Sequence, residues 1–119
     1  MADNTSSRQV DLLQGTLDLL ILRSLIFGPA HGHALAQHIR QSSEAVLQVE
    51  TGSLYPALHH AEAQGWVTAE WALSEKGKRA KYYRLTPAGR RQLVAEQSRW
   101  EQISVAIGRV LRADRQESQ

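Results

Sequence analysis

Thr51, Ser53, Tyr55, His59 and His60 set hydroxyls, a phenol and two imidazoles along one side of a segment whose other side is Leu54, Leu58 and Ala61, with Pro56 among them. Such groups donate to and accept from base edges, and the exposed N-terminal half of a helix in a major groove is where that readout takes place. No Arg falls in this segment to make a bidentate guanine contact, so sequence preference would rest on Ser, Thr, Tyr and His contacts and on DNA shape. A second group, Lys76, Lys78, Arg79 and Lys81, has the charge and reach to hold phosphates or to flank a minor groove. Contacts of that kind position and strengthen without reading sequence.

The distribution of charge supports this pairing better than its total does. The chain has 119 residues, with 14 Lys and Arg against 12 Asp and Glu, a formal net charge of only +2. Yet Gln41 to Glu75 holds no Lys or Arg and five acids, whereas Lys76 to Arg91 holds seven basic residues and no acid. Clustering of this sort is the electrostatic footprint of phosphate binding, although a solvated loop or helix surface would look similar.

Other chemistries find little support. Without cysteine, disulfides and thiolate metal sites are excluded. His31, His33, His38, His59 and His60 invite a metal reading, but no carboxylate or cysteine completes a ligand set, and neither metal nor cofactor is expected. Hydrolase, phosphate-loop and dinucleotide signatures are missing, so an enzyme is not expected. The longest apolar stretch, Leu17 to Phe27, is interrupted by Asp18, Arg23 and Ser24 and is too short to span a bilayer. Met1 to Gln9 is polar and lacks the apolar centre of a secretory signal, which points to the cytoplasm.

The elements that must position these groups follow from period and punctuation. Leu13, Leu17, Leu20, Ile21 and Leu25 recur at three and four residues, with Asp18 and Arg23 off the stripe, predicting a helix from Asp11 to Phe27 that stops at Gly28-Pro29. A second helix fits Gly32 to about Ser42, burying Ala34, Leu35, His38 and Ile39 in part. A third should begin near Thr51 or Ser53, either of which can cap it, and run to Gln64 with Gly65 as its terminator; Ser53 is the better N-cap because it places Pro56 in the first turn. Trp66 to Trp71 and Lys81 to Leu85 read as strands joined by Ser74 to Ala80, a hairpin with a basic tip. Trp66 and Trp71 are assigned to the core. Thr86-Pro87 then caps a helix to about Arg112, roughly 39 Å at ~1.5 Å per residue, more than one small domain needs.

The resulting fold class is mainly α with a little β: a winged helix-turn-helix with a two-stranded wing and a long C-terminal helix. The expected division is a tail over 1–9, a winged-helix domain over 10–86, a dimerisation helix over 87–112 and a tail over 113–119.

These residues resemble the PadR family of bacterial transcriptional regulators. Gly15-Thr16-Leu17, Leu20-Ile21-Leu22 and Gly28-Pro29-Ala30-His31-Gly32 resemble its opening helix and the turn into the second. Gly52-Ser53-Leu54-Tyr55-Pro56-Ala57-Leu58 with Glu62 and Gly65 resembles its recognition-helix motif, and Lys81-Tyr82-Tyr83-Arg84-Leu85-Thr86 with Gly89 its second wing strand. The match covers about Gln14 to Leu93, and the short remainder resembles the branch with a single C-terminal helix. Where many relatives carry Tyr after the His-Gly pair this chain has His33, a secondary candidate for the DNA backbone. His60-Ala61 stands where relatives commonly have a basic residue and Leu, which implies a phosphate grip of the third helix that is either weaker or dependent on pH. Arg84 and Glu62 suit a structural ion pair.

The resemblance implies a repressor that binds double-stranded DNA. Leu93, Trp100, Ile103, Ile107 and Val110 form one stripe on the last helix with little left to cover in its own subunit, which implies a homodimer and a pseudo-palindromic operator. In some drug-responsive relatives a Trp on this helix flanks a flat aromatic ligand, and Trp100 stands in a similar place; a packed interface Trp is the plainer reading. The alternative function is a winged-helix module that binds another protein and has no operator of its own.

Overall fold

The computed structural model describes residues 14–117, with side-chain surroundings for 15–113. The expected tail over 1–9 and the start of the first helix lie outside the described residues. Four helices and three short strands follow in the order α1 (Gln14–Ser24), β1 (Ala30–His31), α2 (Gly32–Ser42), α3 (Thr51–Ala63), β2 (Val67–Leu73), β3 (Arg79–Leu85) and α4 (Pro87–Glu117). This is a winged helix whose sheet has a third strand beyond the expected hairpin: β3 is central, with β1 and β2 antiparallel on either side.

Helix α1 sits in the middle of the domain, against α2, α3 and α4. That position explains why it buries more than one stripe: Leu17, Ile21 and Leu22 are all in the core, with Leu25 just past its end, and Asp18, expected off the stripe, is buried too. The Ser24 hydroxyl donates to the Leu20 carbonyl at 2.7 Å, a bond that competes with the helical ladder. A turn of 3-10 helix over Leu25–Phe27 follows, and Gly28 closes it at φ 132°, a conformation that a side chain would strain. The two-residue β1 then pairs Ala30 with Tyr83 and His31 with Tyr82.

His31 caps α2: its Nδ1 accepts the Ala34 backbone N–H at 3.1 Å. Leu35 and Ile39 are buried as expected, but His38 is exposed and lies against the Phe27 ring at 5.6 Å. In α3 the buried face is Leu54, Ala57, Leu58 and Ala61. Ser53 is not its cap. The cap is Glu50, three residues earlier, and the helix starts at Thr51, the other expected start; the Glu50 carbonyl accepts the Ser53 and Leu54 amides at 3.0 and 2.9 Å, and Pro56 lies in the second turn. Proline there removes a donor that would otherwise reach the carbonyl of Gly52, an exposed residue. Gly65, at φ 80°, ends α3, with the Trp66 amide reaching back to the Ala61 carbonyl at 2.9 Å.

The hairpin is longer than its apolar residues suggest, because β2 and β3 pair out to Leu73 and Arg79. Its turn is held by the Ser74 amide to the Lys78 carbonyl at 2.7 Å and by Gly77 at φ 78°. Thr86 then joins wing and last helix. Its hydroxyl donates to the Gly65 carbonyl at 2.6 Å and accepts the Gly89 amide at 3.0 Å. Helix α4 runs 31 residues, five beyond the expected end at Arg112 and through most of the segment expected to be a tail. At ~1.5 Å per residue it is roughly 46 Å long. Its packing on α1 reaches Leu93, which is buried in the chain's own core and so is withdrawn from the expected subunit contact.

Tyr83 is the largest side chain to be fully buried, and burial, with Glu62 and Tyr55 adding to it, pushes its phenol above the ordinary value. The folded chain therefore keeps a proton that the unfolded chain releases near pH 10. This contribution is complete below about pH 10 and is lost as pH rises through the raised folded value. Thermal melts from about pH 9 to about pH 11 should fall more steeply for the wild type than for Tyr83→Phe. Parallel curves would exclude Tyr83 as the source.

Candidate nucleic-acid interface

The outward face of α3 carries Thr51, Ser53, Tyr55, Pro56, His59 and His60, all exposed. Burial of Leu54, Ala57, Leu58 and Ala61 turns that face to solvent, since a helix that packs one stripe must present the other. Tyr55 is the exception to free exposure. A Cβ on Gly32 would come within 2.8 Å of its ring carbon Cζ, so the phenol packs over the start of α2 because residue 32 lacks a side chain. His60 leans toward the hairpin base, its ring edge-on to Trp66 with centroids 5.5 Å apart.

Between α2, α3 and the wing lies a cleft of about 960 Å³. His33 and Gln37 line it from α2, Tyr55 and His59 from α3, and Trp71, Lys76, Lys78, Arg79 and Lys81 from the wing. The structure thus brings two of the expected base-reading residues beside all four wing cations. Thr51, Ser53, Pro56 and His60 lie outside the cleft, on the same helix. His33 is exposed near the cleft floor, its ring stacked 6.3 Å from that of His31. The arrangement can do two things at once: offer a polar helix face to a groove, and hold one anionic strand against the wing.

Two expectations about the wing are overturned. Glu62 pairs with Lys81 at 3.5 Å, whereas Arg84 is exposed on the opposite face of β3 across from Thr68. Strand alternation decides this: Lys81, Tyr83 and Leu85 point toward α3, and Arg84 cannot. The pair is about one-third exposed on each side and contributes little to stability, but it ties the wing to α3. The Lys81 ammonium also lies 5.6 Å from the Tyr83 ring centre. The second correction concerns Trp71, which is 57% exposed instead of buried, with the Arg79 guanidinium 4.9 Å over its ring. Trp66, by contrast, is half-buried against the core as expected. Sequence pattern does not mark Trp71 as a cleft residue, because its parity matches that of core residue Val67; only the length of the hairpin carries it past the core.

On α4, Trp100, Ile103, Ile107 and Val110 are exposed by half or more and continue along one face. Among the described residues no group of three or more His, Cys, Asp or Glu is placed to hold a metal ion, and no helix is long and apolar enough to cross a membrane.

Comparison with known proteins agrees with this geometry. The sequence model of the transcriptional regulator PadR-like family matches residues 21–95. The chain is 33% identical over 86 residues to the transcriptional regulator Rv3488 of Mycobacterium tuberculosis, covering 72% of this chain and 77% of that protein. Among solved structures, a PadR family transcriptional regulator from Eggerthella lenta shares 33% identity at a TM-score of 0.70, covering 82% of this chain and 83% of its own. A transcriptional regulator from Clostridium thermocellum shares 28% identity at a TM-score of 0.76, covering 84% and 97%. With a family match over most of the winged helix and a third of residues shared with such regulators, the chain belongs to the PadR-like family of transcriptional regulators, and its winged helix is of the DNA-binding kind.

Proposed function

We propose that the protein is a homodimeric repressor that binds a pseudo-palindromic operator, with α3 in the major groove and the wing along the flanking backbone. The observation that carries this reading is that Tyr55 and His59 of α3 share one cleft with Lys76, Lys78, Arg79 and Lys81. Within the expected 10–86 unit, the described residues 14–86 serve as the DNA-binding head, and α4 joins two subunits through Trp100, Ile103, Ile107 and Val110. A two-fold dimer would present its recognition helices about 34 Å apart, one turn of the duplex. A small flat aromatic effector lodged beside Trp100 would release the operator by favouring a dimer whose heads are off that spacing.

The test is an anisotropy titration of the protein against the duplex upstream of its own gene and a scrambled duplex of equal length, at two salt concentrations. Preferential binding that survives the higher salt supports an operator-specific regulator. Equal, salt-labile binding to both would favour the reading as a protein-interaction module. Replacing Lys78 and Arg79 by Ala should weaken duplex binding and reduce the slope of log K against log salt by about 0.9 for each phosphate that is no longer neutralised. An unchanged slope would remove these two residues from the interface.

A further inference from the structure

Trp71 has no counterpart among the residues that a basic wing needs for phosphate binding. It is 57% exposed, although β2 pairs fully with β3 around it, and it lines the cleft opposite α3. Its cross-strand neighbour is Lys81, its diagonal neighbour is Arg79, and the Arg79 guanidinium stands 4.9 Å over the indole. Arg79 stands over the indole and Lys81 is beside it, and the exposed remainder of the ring is apolar surface turned into a cationic cleft, where a partner could cover it.

We infer that Trp71 is a DNA-contacting residue of the wing, packing its indole against the deoxyribose edge of the strand held in the cleft and fixing Arg79 for the adjacent phosphate. This rests on the reading of the cleft as a duplex site. The chemistry of the nucleic-acid backbone alternates anionic phosphates with largely apolar sugars. A site lined only by Lys and Arg matches the first and leaves the second facing water. An indole between Arg79 and Lys81 matches both. The contact serves the guanidinium as well: a cation held 4.9 Å over the ring stays beside the cleft with N–H donors available to phosphate oxygens. A guanidinium ordered before binding loses less side-chain freedom when it binds.

Lys76 and Lys78, on the hairpin turn, have no such support and would act as mobile charges. The inference therefore separates two kinds of wing residue by their salt dependence. Removing a cation lowers the number of counterions released, whereas removing an apolar group that packs on a sugar lowers affinity with that number nearly unchanged.

The experiment uses the full chain and the duplex that the wild type binds best. Trp71→Ala should weaken binding roughly fivefold to tenfold, on operator and scrambled duplex alike, because a sugar carries no sequence. Its salt slope should fall by less than Arg79→Ala lowers it. Trp71→Phe should recover most of the loss. In a double-mutant cycle, Arg79→Ala should cost less in the Trp71→Ala background than alone. Should Trp71→Ala prove poorly folded, 5-fluorotryptophan in the otherwise unaltered protein gives the same answer: the resonance absent from Trp71→Phe should shift when duplex is added. Wild-type binding with an unmoved Trp71 resonance, or with Trp71→Ala affinity equal to wild type, overturns the inference. A wild type that binds no duplex at all would instead overturn the DNA reading on which the inference rests.

Discussion

If α4 joins two subunits as proposed, replacing Ile103 and Ile107 together by aspartate should convert the protein to a monomer and lower operator affinity by at least about a hundredfold, the usual scale when two linked sites are separated. Along α4 the packing against its own chain ends near Leu93, and beyond it Ile103 and Ile107 are 50% and 54% exposed. Full burial of such side chains is worth about 1.5–3 kcal/mol each, and a two-fold contact counts every residue twice. In the proposed two-fold contact, aspartates at both positions would set four carboxylates facing one another in place of four isoleucines. Because neither isoleucine contributes to the core, the winged-helix head should keep its melting behaviour, so the loss of affinity would not reflect unfolding. Light scattering after gel filtration gives the mass, and anisotropy gives the affinity. A variant that stays dimeric and binds as the wild type does would place the subunit contact elsewhere.

The second large effect is expected at Gly89. A Cβ there would meet the Trp66 carbonyl oxygen at 2.1 Å and a Leu85 methyl at 2.8 Å, so Gly89→Ala must move backbone, not a flexible side-chain tip. The same Trp66 carbonyl accepts the Thr86 amide at 3.0 Å, and the Gly89 amide itself bonds to the Thr86 hydroxyl at 3.0 Å. Separating these groups breaks the joint between wing and last helix. A cost of about 3 kcal/mol is expected, at the upper end for overpacking. For a domain of this size that is a drop of more than about 10 °C in melting temperature. Calorimetry would decide; a melt within a degree or two of wild type would show that the joint yields easily.

Much of the architecture could be read from the residues, and the failures have local causes. Gly28, Gly65 and Thr86-Pro87 mark their element ends because each supplies a conformation or a bond that few other residues supply. The end of α2 carries no such mark: the chain turns there through Glu44 and Ala45, at φ 55° and 67°, residues that rarely adopt that region. Pro56 misleads about the start of α3, since its preference for a first turn yields to the packing of Leu54 and Leu58. β1 is two residues long and exists through pairing with β3, a long-range contact that no local pattern reveals. At the site, residue types are legible while pairings are not. Whether Glu62 meets Lys81 or Arg84 depends on which side of β3 faces α3, and alternation alone leaves that choice open until the core residues Tyr83 and Leu85 fix it.

The outward face of α3 has a bearing on how this protein could acquire a new target. Thr51, Ser53 and His59 are exposed and do not fill the core, so exchanging them should alter stability by no more than about 0.5 kcal/mol. They form a cassette that selection, or a library, can rewrite without repairing the rest of the domain. Tyr55 stands outside that cassette. Its ring is seated over Gly32, so a change there is felt by the start of α2 as well as at the proposed duplex contact. His60, edge-on to Trp66, is likewise tied to the hairpin base. Retargeting would proceed fastest by holding Tyr55, Gly32 and His60 fixed and randomising the three positions around them.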